Sequence, residues 1–427
     1  MNLRQYSYTC FALLICLFFG REGSQAQSVF RDIPDLPFIN TDASAVYFPT
    51  DDTTVYDKLF RKLDRLLLEG KGKVNILHIG GSHIQSGTLS HQIRSDLLNA
   101  FPGTTGDRGL IFPFSAAKTN NPQNYKTTYS GDWLTVKNTQ RNPGYPLGLT
   151  GMCITTSDTN ATIGIRMRNT ADLAFDFNKV YLLGNCDTGD VRPLLHIRDS
   201  IIIEGVYDTL LSVYCFELGM YVDEFVLSFA TNDTLGWTFS LRGFWLSNGL
   251  PGITYTDVGV NGANVSSYLK CVYLEQDLAI VKPDLCIFSV GINDASGTNF
   301  DTSYFMNNYK ALIRRIRTVA PDCAILFTTN NDSYQKVNKR YYNNTNGLLA
   351  RQAFYSLAAF YNTGVWDLFS WMGGLEAIKQ WENKNLAQKD KVHFTAQGYS
   401  LIGDCIYNAF ISEYIKYLYK SSAHGLE

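Results

Sequence analysis

The feature that most constrains the fold is a strand–helix rhythm that occurs in two separated parts of the chain. In the first part, an apolar strand from Val74 to Ile79 runs into a Gly-Gly-Ser turn, and Leu89, Ile93 and Leu97 follow at helical spacing. After about residue 270 the rhythm returns, with strands predicted at 284–290 and 323–328 and helices at 309–319, 347–361 and 396–419. Strands that alternate with helices predict a parallel sheet covered by helices on both faces.

The stretch between these two parts has a different pattern. Between about residues 107 and 250, short β-rich runs recur and are separated by turn residues such as Asp187-Thr188-Gly189 and Asn232-Asp233. Short strands that follow one another regularly and are separated by turn residues predict a β-sandwich. A chain of 427 residues is long enough for both units. We therefore predict an α/β domain built from 27–106 and 251–427 and interrupted by a β-sandwich at 107–250.

The N-terminus has the pattern of a secretory signal peptide. Arg4 supplies a positive charge, residues 10–20 are apolar, and small residues around Ser24 and Ala26 offer a cleavage site. An uncleaved membrane anchor is the alternative, but the apolar run is shorter than the roughly 20 residues of a spanning helix. No later stretch has 18 consecutive apolar residues. We expect residues 1–26 to be removed and the protein to be secreted, periplasmic or associated with the cell surface, without a transmembrane segment.

Composition excludes several other classes. The chain has 37 Lys and Arg residues against 39 Asp and Glu residues. It therefore lacks the excess of basic residues that binding to a nucleic-acid backbone requires. Seven cysteines follow the predicted signal peptide, an odd and widely spaced set that is unlike a disulfide framework, although one or two bridges stay open. Cys286 and Cys323 lie within apolar runs and are interpreted as buried thiols. No Cys or His spacing indicates a metal site.

Three polar motifs could carry chemistry. Ser82 follows Gly80-Gly81 at the end of the first strand, where it either presents a free hydroxyl or simply caps a helix. Asn293, after a second buried strand, either donates its amide to an oxyanion or forms an Asx-turn. Asp390 and His393 stand three residues apart before the last helix, either as an oriented base or as a surface pair. Each motif alone favours the structural alternative.

The motifs are more informative together. Each lies at the predicted C-terminal edge of the sheet or in a loop that enters a helix, the edge at which open α/β sheets bind ligands. A further turn at 259–263, Gly-Val-Asn-Gly-Ala, offers a backbone N–H group that could be another donor. We predict that these stretches converge on one pocket in which Ser82, His393 and Asp390 are aligned.

This set resembles the SGNH (GDSL-like) hydrolase superfamily, and most closely its bacterial peptidoglycan O-acetylesterases of the Ape type. The resemblance rests on four blocks that extend over most of the mature chain: His78-Ile79-Gly80-Gly81-Ser82-His83-Ile84-Gln85, Gly259-Val260-Asn261-Gly262-Ala263, Gly291-Ile292-Asn293-Asp294 and Asp390-Lys391-Val392-His393. Asp107-Arg108-Gly109-Leu110 also fits the pattern. The Asp that the family carries before its nucleophile is Gly81 here, which puts efficient turnover in question.

The resemblance implies a three-layer, flavodoxin-like hydrolase domain interrupted by a sandwich similar to carbohydrate-binding modules. It implies Ser82 as nucleophile, His393 as general base and Asp390 as the group that orients the imidazole. Ser82, Gly262 and Asn293 would form the oxyanion hole, and no metal or organic cofactor would be needed. The implied partner is an acetylated glycan, with peptidoglycan favoured. Two alternatives stay open: deacetylation of another polysaccharide, and glycan binding by a decayed hydrolase.

Several other side chains allow two interpretations. His83 either lines the substrate pocket or is an ordinary polar neighbour of Ser82. His78, inside the first strand, is interpreted as a hydrogen-bonded core residue, and Asp294 as a structural carboxylate. Trp237, Trp245 and Tyr255 could offer a sugar-stacking face, but aromatic residues in such strands more often belong to the core.

Overall fold

The computed structural model describes residues 28–100, 104–171, 173–198, 200–233, 235–297 and 299–424. The predicted signal peptide lies outside the described residues. The strands are β1 Val46–Tyr47, β2 Lys73–Gly80, β3 Gly109–Ile111, β4 Tyr125–Ser130, β5 Leu134–Lys137, β6 Met152–Thr156, β7 Thr162–Met167, β8 Phe177–Thr188, β9 Arg192–Ile197, β10 Ile201–Glu204, β11 Val206–Asp208, β12 Val213–Val222, β13 Glu224–Ala230, β14 Thr238–Ser247, β15 Gly252–Gly259, β16 Leu285–Ser289, β17 Ala324–Thr328, β18 Tyr334–Val337, β19 Arg340–Asn343 and β20 Gly364–Trp366. The α-helices are α1 Asp57–Glu69, α2 Ser82–Gln85, α3 Thr88–Ala100, α4 Val265–Leu269, α5 Leu274–Val281, α6 Thr302–Val319, α7 Asn346–Tyr361, α8 Leu368–Trp371, α9 Ala377–Asn383 and α10 Ala396–His424.

A six-stranded sheet organises the α/β part of the molecule in the order β1-β20-β17-β16-β2-β15. Its neighbours from β20 to β15 pair in parallel, as the strand–helix rhythm predicts. The prediction of a purely parallel sheet is wrong at one edge, where β1 pairs antiparallel with β20 through Val46 and Trp366. A two-residue strand carries no alternating pattern, so its pairing is fixed by packing rather than by local sequence.

The central strands are apolar because helices cover the sheet on both sides. Every residue of β17 and all but the last residue of β16 are buried, which is typical of strands in a covered parallel sheet. Beside the site, α3 packs along α10. The last helix is longer than predicted and extends to residue 424 instead of ending near Tyr419.

Two antiparallel sheets occupy the stretch between β2 and β15. One has the order β10-β9-β13-β7-β4, and the other β11-β12-β8-β14-β6-β5 with β3 paired to β14. Aromatic rings join the two sheets: the ring centroids of Phe229 and Phe239 lie 5.0 Å apart, and those of Phe225 and Phe244 lie 5.2 Å apart. Edge-on and tilted ring pairs of this kind stabilise a core beyond their buried area.

The chain leaves the parallel sheet and returns to it at nearly the same place. The strand before the antiparallel region, β2, is paired in register with the strand after it, β15, from Lys73 with Gly252 onward. Asp107, on the outgoing segment, accepts hydrogen bonds from the Asn248 N–H at 2.6 Å and the Ser247 hydroxyl at 3.1 Å, and it forms an ion pair with Lys73. One buried carboxylate therefore ties the outgoing and incoming segments together.

The described residues also settle several side-chain expectations. Trp237, Trp245 and Tyr255 are 4%, 6% and 0% exposed, so the core interpretation is confirmed and these rings are not a sugar-stacking face. Cys286 and Cys323 are buried, and all seven cysteines after the predicted signal peptide are free thiols. Within the described ranges, none of the helices combines the length and the apolar character that crossing a membrane requires.

Candidate active site

Ser82 lies at the turn where β2 passes directly into α2. Glycine is required at position 80, because a Cβ atom there would lie 2.1 Å from Cγ1 of Ile84 in the following helix. The close approach of strand and helix leaves the Ser82 side chain at the C-terminal edge of the sheet, only partly buried. The Gly-rich turn predicted from the sequence is thus a tight strand-to-helix turn that exposes a hydroxyl group.

The structure brings Ser82, His393 and Asp390 into one line. Ser82 Oγ lies 2.8 Å from Nε2 of His393, and Nδ1 of the same ring lies 2.7 Å from Oδ2 of Asp390. Because the carboxylate accepts the Nδ1 proton, Nε2 is left with its lone pair directed at the hydroxyl. An imidazole in this arrangement can take the proton of the serine as the serine attacks a carbonyl carbon.

Local hydrogen bonds shape the loop that carries Asp390 and His393. Oδ1 of Asp390 accepts the backbone N–H groups of Val392 and His393, both at 3.0 Å, while Lys391 adopts a left-handed φ of 59°. Burial tends to raise the pKa of the Asp390 carboxyl, but its hydrogen bonds with His393 and Val392 outweigh burial and keep that pKa below its ordinary value. Asp390 is therefore ionised at neutral pH, as an imidazole-orienting group must be.

A second set of groups offers hydrogen-bond donors beside Ser82. Gly262 lies in a turn closed by the bond from Ala263 N–H to Val260 O, and its φ of 81° favours glycine. Asn293 donates one amide proton to Ala263 O at 2.9 Å, which leaves its second proton available. In the described part of the chain, the N–H groups of Ser82 and Gly262 donate to no other residue.

Gly81 separates this site from the family pattern but is not dictated by the backbone. Its φ of −103° is accessible to any residue. A Cβ atom on Gly81 would make ordinary contacts, 3.4 Å from Nδ2 of Asn293 and 3.5 Å from Ala263 O. The same distances place the Asn293 amide and the Gly262 turn directly beside the residue that precedes Ser82. A Cβ atom at position 81 would therefore leave these donors in place.

Sequence reasoning gave no role to Gln85, which connects the site to its surroundings. Its Oε1 accepts the N–H of Asn261 at 2.6 Å, and its Nε2 donates to the Thr119 hydroxyl at 2.9 Å. The side chain thereby fixes the turn that holds Gly262. Gln85 ends the block that carries the family resemblance, but its helix is too short to show a pattern that would indicate these contacts. Asn331, which donates to Val392 O at 3.0 Å, was missed in the same way.

The ring of His83 packs against the ring of His393. The two imidazole centroids lie 5.1 Å apart, and Nδ1 of His83 shares a hydrogen bond of 2.9 Å with the hydroxyl of Tyr399. Its Nε2 has no partner among the described residues. Burial, followed by the neighbouring His393, lowers the pKa of His83 to about 3. His83 is thus a neutral, buried neighbour of His393 rather than a second exposed imidazole.

This neutral state predicts a pH dependence of stability. Folded His83 stays unprotonated down to about pH 3, whereas an unfolded histidine binds a proton below about pH 6.5, so the unfolding free energy falls as the pH drops between these values. Each pH unit in that window costs about 1.4 kcal/mol per histidine. We expect His83→Phe to reduce the loss of unfolding free energy between pH 7 and pH 5 by about 2 kcal/mol, measured by urea titration at both pH values.

Tyr399→Phe provides the matched control. It removes the hydroxyl that contacts His83 but leaves the titrating imidazole buried. This variant should lower stability at both pH values and keep the pH dependence of the parent. If His83→Phe showed the same pH dependence as the parent, the assignment of a neutral buried imidazole would be wrong.

The remaining polar residues of the motifs have structural partners. His78 is fully buried between the Tyr255 and Ser289 hydroxyls, each at 2.6 Å, which confirms its interpretation as a core histidine. Asp294 accepts the N–H of Val265 at 3.1 Å at the start of α4, and burial raises its pKa to about 6. These contacts agree with its interpretation as a structural carboxylate.

Comparison with known proteins matches one part of the chain to a family. Residues 225–401 match the model of the GDSL-like lipase/acylhydrolase family. This range contains Gly262, Asn293, Asp390 and His393 and ends before the C-terminus of α10; Ser82 precedes it. A search of curated protein sequences finds no significant match.

One solved structure shares the fold over most of the chain. A structure described as "Peptidoglycan O-acetylesterase in action, 5 min" superposes with a TM-score of 0.68 at 20% identity, covering 84% of this chain and 96% of that one. An acetyl xylan esterase (TM-score 0.30, 20% identity, 37% of this chain and 81% of that one) and a GDSL-like lipase from Bacteroides thetaiotaomicron (TM-score 0.29, 16% identity, 37% and 76%) resemble a smaller part. The family match over residues 225–401 shows that the chain contains a GDSL-like lipase/acylhydrolase domain and is a carboxylic ester hydrolase.

Proposed function

We propose that this protein is a secreted serine esterase that removes O-acetyl groups from a carbohydrate, with peptidoglycan as the favoured substrate. The observation that carries the proposal is the continuous line of hydrogen bonds from Ser82 through His393 to Asp390, with contacts of 2.8 and 2.7 Å. Ser82 is the nucleophile, His393 the general base and Asp390 the group that orients the ring. These roles require no group beyond the side chains and backbone of the chain itself.

The reaction proceeds in two displacements. Ser82 Oγ forms a bond to the acetyl carbonyl carbon while His393 takes the hydroxyl proton. As the tetrahedral intermediate collapses, the bond to the sugar oxygen breaks, and His393 returns the proton to that oxygen. Water then attacks the acetyl-serine with His393 again as base, which releases acetate and restores the Ser82 hydroxyl. Asp390 remains ionised throughout and stabilises the imidazolium.

Negative charge collects on the carbonyl oxygen in both steps. The N–H groups of Ser82 and Gly262 and the second amide proton of Asn293 are the donors for that oxygen. A donor held in place before the reaction costs no reorganisation when charge develops, and the loss of one typically costs about 3–4 kcal/mol of transition-state stabilisation.

Two observations favour a bulky carbohydrate substrate. The Asp390 and His393 side chains are 45% and 33% exposed, so the catalytic line lies at an open surface that a polymer can reach. The solved structure that resembles 84% of this chain is described as a peptidoglycan O-acetylesterase. Deacetylation of another acetylated polysaccharide remains the second candidate, because acetylated sugars present the same ester to Ser82.

The domain layout and location belong to the same proposal. Residues 107–250 form a β-sandwich module inserted into a hydrolase domain made of 27–106 and 251–427. The hydrogen bond from Asn248 N–H to Asp107 and the pairing of β2 with β15 support this division. Both contacts hold the two ends of the module close together. Residues 1–26 would direct export and place the enzyme where extracellular or cell-wall glycans occur.

Release of acetate tests the function directly. Purified protein is incubated with para-nitrophenyl acetate, O-acetylated peptidoglycan and acetylated xylan, and the acetate released is measured. Faster release from peptidoglycan than from xylan supports the favoured substrate, and the reverse order supports the second candidate. Glycan binding without any release of acetate would contradict the esterase proposal and support the binding-only alternative.

Asn293→Ala tests the oxyanion assignment. We expect turnover of para-nitrophenyl acetate to fall roughly a hundredfold, because one of three donors to the developing charge is lost. The melting temperature should change little, since the structural loss is a single bond from Asn293 to Ala263 O. The isosteric Asn293→Asp, which places a carboxylate where the donor stood, should be at least as slow. A variant with parental turnover, or one that unfolds, would place Asn293 among the structural residues.

A further inference from the structure

A short β-hairpin, formed by β18 and β19, stands beside the loop that carries Asp390 and His393. Its strands pair antiparallel over four residues each. At its base, the Tyr334 N–H donates to Lys391 O at 3.0 Å, and Lys391 lies two residues before His393. From that base the strands extend roughly 10 Å to the tip of the hairpin. The tip therefore lies within roughly 15 Å of Lys391.

The hairpin contacts two of the loops that surround Ser82. On one face, Nζ of Lys391 lies 5.9 Å from the ring centroids of both Tyr334 and Tyr341. On the other face, Nε2 of Gln335 donates to Ala295 O at 3.4 Å, in the loop that follows β16. The hairpin is thus held at the C-terminal edge of the parallel sheet, between the loop of the proposed base and a loop of the proposed oxyanion hole.

The hairpin carries an excess of positive charge. Its cations are Lys336, Lys339 and Arg340, and the sequence has no Asp or Glu from residue 333 to residue 366. All three residues are exposed, and in the part of the chain that the structure describes none of them forms an ion pair. The neighbouring Lys391, by contrast, is paired with Glu382. The hairpin therefore offers three unpaired cations to an anion from solution.

The tip of the hairpin places a lysine where the backbone favours glycine. Asn338 and Lys339 form its two-residue turn, with left-handed φ values of 49° and 67°. Such turns strongly prefer Asn followed by Gly, and a residue with a side chain costs conformational energy there. Among the described residues, the Lys339 side chain has no hydrogen-bond or ion-pair partner that would offset this cost. Its charge at the tip points to a partner outside the chain.

The chemistry of the hairpin selects one class of anion. Three separate, exposed cations suit negative charges spread along a flexible substrate better than one small enclosed anion, and carboxylates pair with both Lys and Arg. Peptidoglycan carries such charges, because the short peptides on its sugars have free carboxylates, whereas the backbone of acetylated xylan is neutral. Tyr341 and Tyr342, 38% and 52% exposed, offer apolar surface to the same peptide. Peptide carboxylates are therefore the anions that fit the hairpin.

We propose that the basic hairpin, through Lys336, Lys339 and Arg340, binds carboxylates of the peptides attached to the glycan whose acetyl ester reaches Ser82. This proposal rests on the proposed function and narrows its substrate, because the hairpin selects peptide-bearing glycan over neutral acetylated polysaccharides. The hairpin contributes binding and takes no part in the bond changes at Ser82. It should therefore lower the KM for carboxylate-bearing substrates rather than raise kcat.

Two hairpin variants of the full-length enzyme test the proposal. The first combines Lys336→Gln, Lys339→Gln and Arg340→Gln, which removes three charges from exposed positions. The second, Lys339→Gly, removes one charge and gives the left-handed position the residue that it favours. The melting temperature of Lys339→Gly should therefore equal or exceed that of the parent. A loss of substrate binding in this variant would not come from a loss of stability.

A matched control removes the same charge elsewhere. It combines Lys71→Gln, Lys282→Gln and Arg314→Gln, all at exposed positions. Lys71 and Lys282 stand just before β2 and β16, so they lie at the edge of the parallel sheet opposite to Ser82. The control reports the effect of overall charge without changing the hairpin, and it should match the parent on every substrate.

The substrates separate charge from shape. They are O-acetylated muropeptides (disaccharide units that carry the peptide), the same muropeptides with their carboxylates converted to amides, and para-nitrophenyl acetate. The triple hairpin variant should raise KM for the charged muropeptides at least tenfold, and Lys339→Gly at least twofold, because an exposed charge pair contributes up to about fivefold. Amidation should raise the KM of the parent by a similar factor and change that of the triple variant less than twofold.

Several outcomes would overturn the proposal. One is equal KM values of the parent for charged and amidated muropeptides. Another is a fall in para-nitrophenyl acetate hydrolysis as large as the fall on muropeptides, because the hairpin would then position the catalytic loop instead of binding substrate. A larger loss on acetylated xylan that bears glucuronic acid than on muropeptides would overturn the choice of peptide carboxylates. If the triple variant misfolds, Lys339→Gly decides.

A binding measurement distinguishes this proposal from the esterase proposal. Fluorescence anisotropy of a labelled muropeptide measures binding without ester cleavage. If the parent releases no acetate, the esterase proposal is contradicted, but muropeptide binding by the parent and at least tenfold weaker binding by the triple hairpin variant would still support the hairpin site. Equal affinity of the two proteins, or no binding by the parent, would overturn the hairpin site whatever the esterase activity.

Discussion

Replacing Ser82 by Ala is expected to lower the turnover of para-nitrophenyl acetate by roughly 10⁴ to 10⁶-fold, the range found when a triad nucleophile is removed. The hydrogen bond with Asp390 orients His393 so that the lone pair on its Nε2 is directed at the Ser82 hydroxyl, 2.8 Å away. The nearest alternative along the chain, the Ser86 hydroxyl, donates to His83 O and is held away from that ring. Without the Ser82 oxygen, only the oxyanion donors and substrate binding remain to accelerate direct attack by water.

The same variant should keep its fold, because Ser82 is a partly buried side chain whose hydroxyl bonds to a solvent-accessible imidazole. Circular dichroism and thermal unfolding measure this directly. A fluorophosphonate probe, followed by mass spectrometry, should label the parent at Ser82 and leave the variant unlabelled. Ser86→Ala, in the same turn, should keep both activity and labelling. Retention of more than a tenth of the parental rate in Ser82→Ala would contradict the assignment.

The convergence of the site could be predicted because three of its parts follow parallel strands. Ser82 comes after β2, Gly262 after β15 and Asn293 after β16, and these strands are neighbours in the sheet. The carboxyl ends of neighbouring parallel strands meet at one edge, so each motif places its polar groups there whatever the intervening chain does. The spacing of Asp390 and His393 allowed their contact, since a tight turn can bring residues three apart together, and the other motifs favoured it over a surface pair.

The strand β15 was harder to recognise, and its residues explain why. Thr254, Thr256 and Asp257 interrupt its apolar pattern, yet all three side chains lie in the interior. A strand with such side chains is stable only when partners compensate them, and the partners of Asp257 are far away in the sequence: Ser90 and Arg94 on α3, and Arg108. Local sequence cannot reveal partners that only the fold brings together.

The same limit applied to the surroundings of His393. The sequence marks His83 as a neighbour of Ser82, but its contact with Tyr399 spans 316 positions. The alternatives for His83 could therefore be separated only by its burial and its ring contact with His393. Likewise, the aromatic side chains chosen as candidate sugar contacts proved to be core, which only their burial could show.

The Asp107-Arg108 motif gains a physical explanation from the structure. Asp107 ties together the two chain segments at the base of the antiparallel sheets. Arg108 reaches Oδ1 of Asp257 at 3.1 Å, on the strand that follows those sheets. The pair of residues thus anchors the antiparallel region to the parallel sheet at two carboxylates rather than contributing to the chemistry at Ser82.

Asp257→Asn is accordingly expected to be the most destabilising conservative change in the molecule. Asp257 pairs with both Arg94 and Arg108, and the three side chains are no more than 7% exposed. Burial alone would raise the pKa of Asp257, but the two guanidinium groups outweigh burial and hold that pKa at about 2. The carboxylate is therefore charged at neutral pH, and its charge compensates two buried cations.

An amide in place of Asp257 keeps the shape and the hydrogen-bond acceptor but leaves both guanidinium groups without a counter-charge. Breaking a buried ion pair on one side typically costs about 3–5 kcal/mol, and we expect Asp257→Asn to lose that much unfolding free energy in urea titration at pH 7. Asp322→Asn is the matched control, because it removes the partner of Lys58 from a surface pair whose side chains are 67% and 62% exposed. Such a pair contributes at most about 1 kcal/mol. If the two variants were equally stable, the ion cluster would not be what anchors the antiparallel region to the hydrolase sheet.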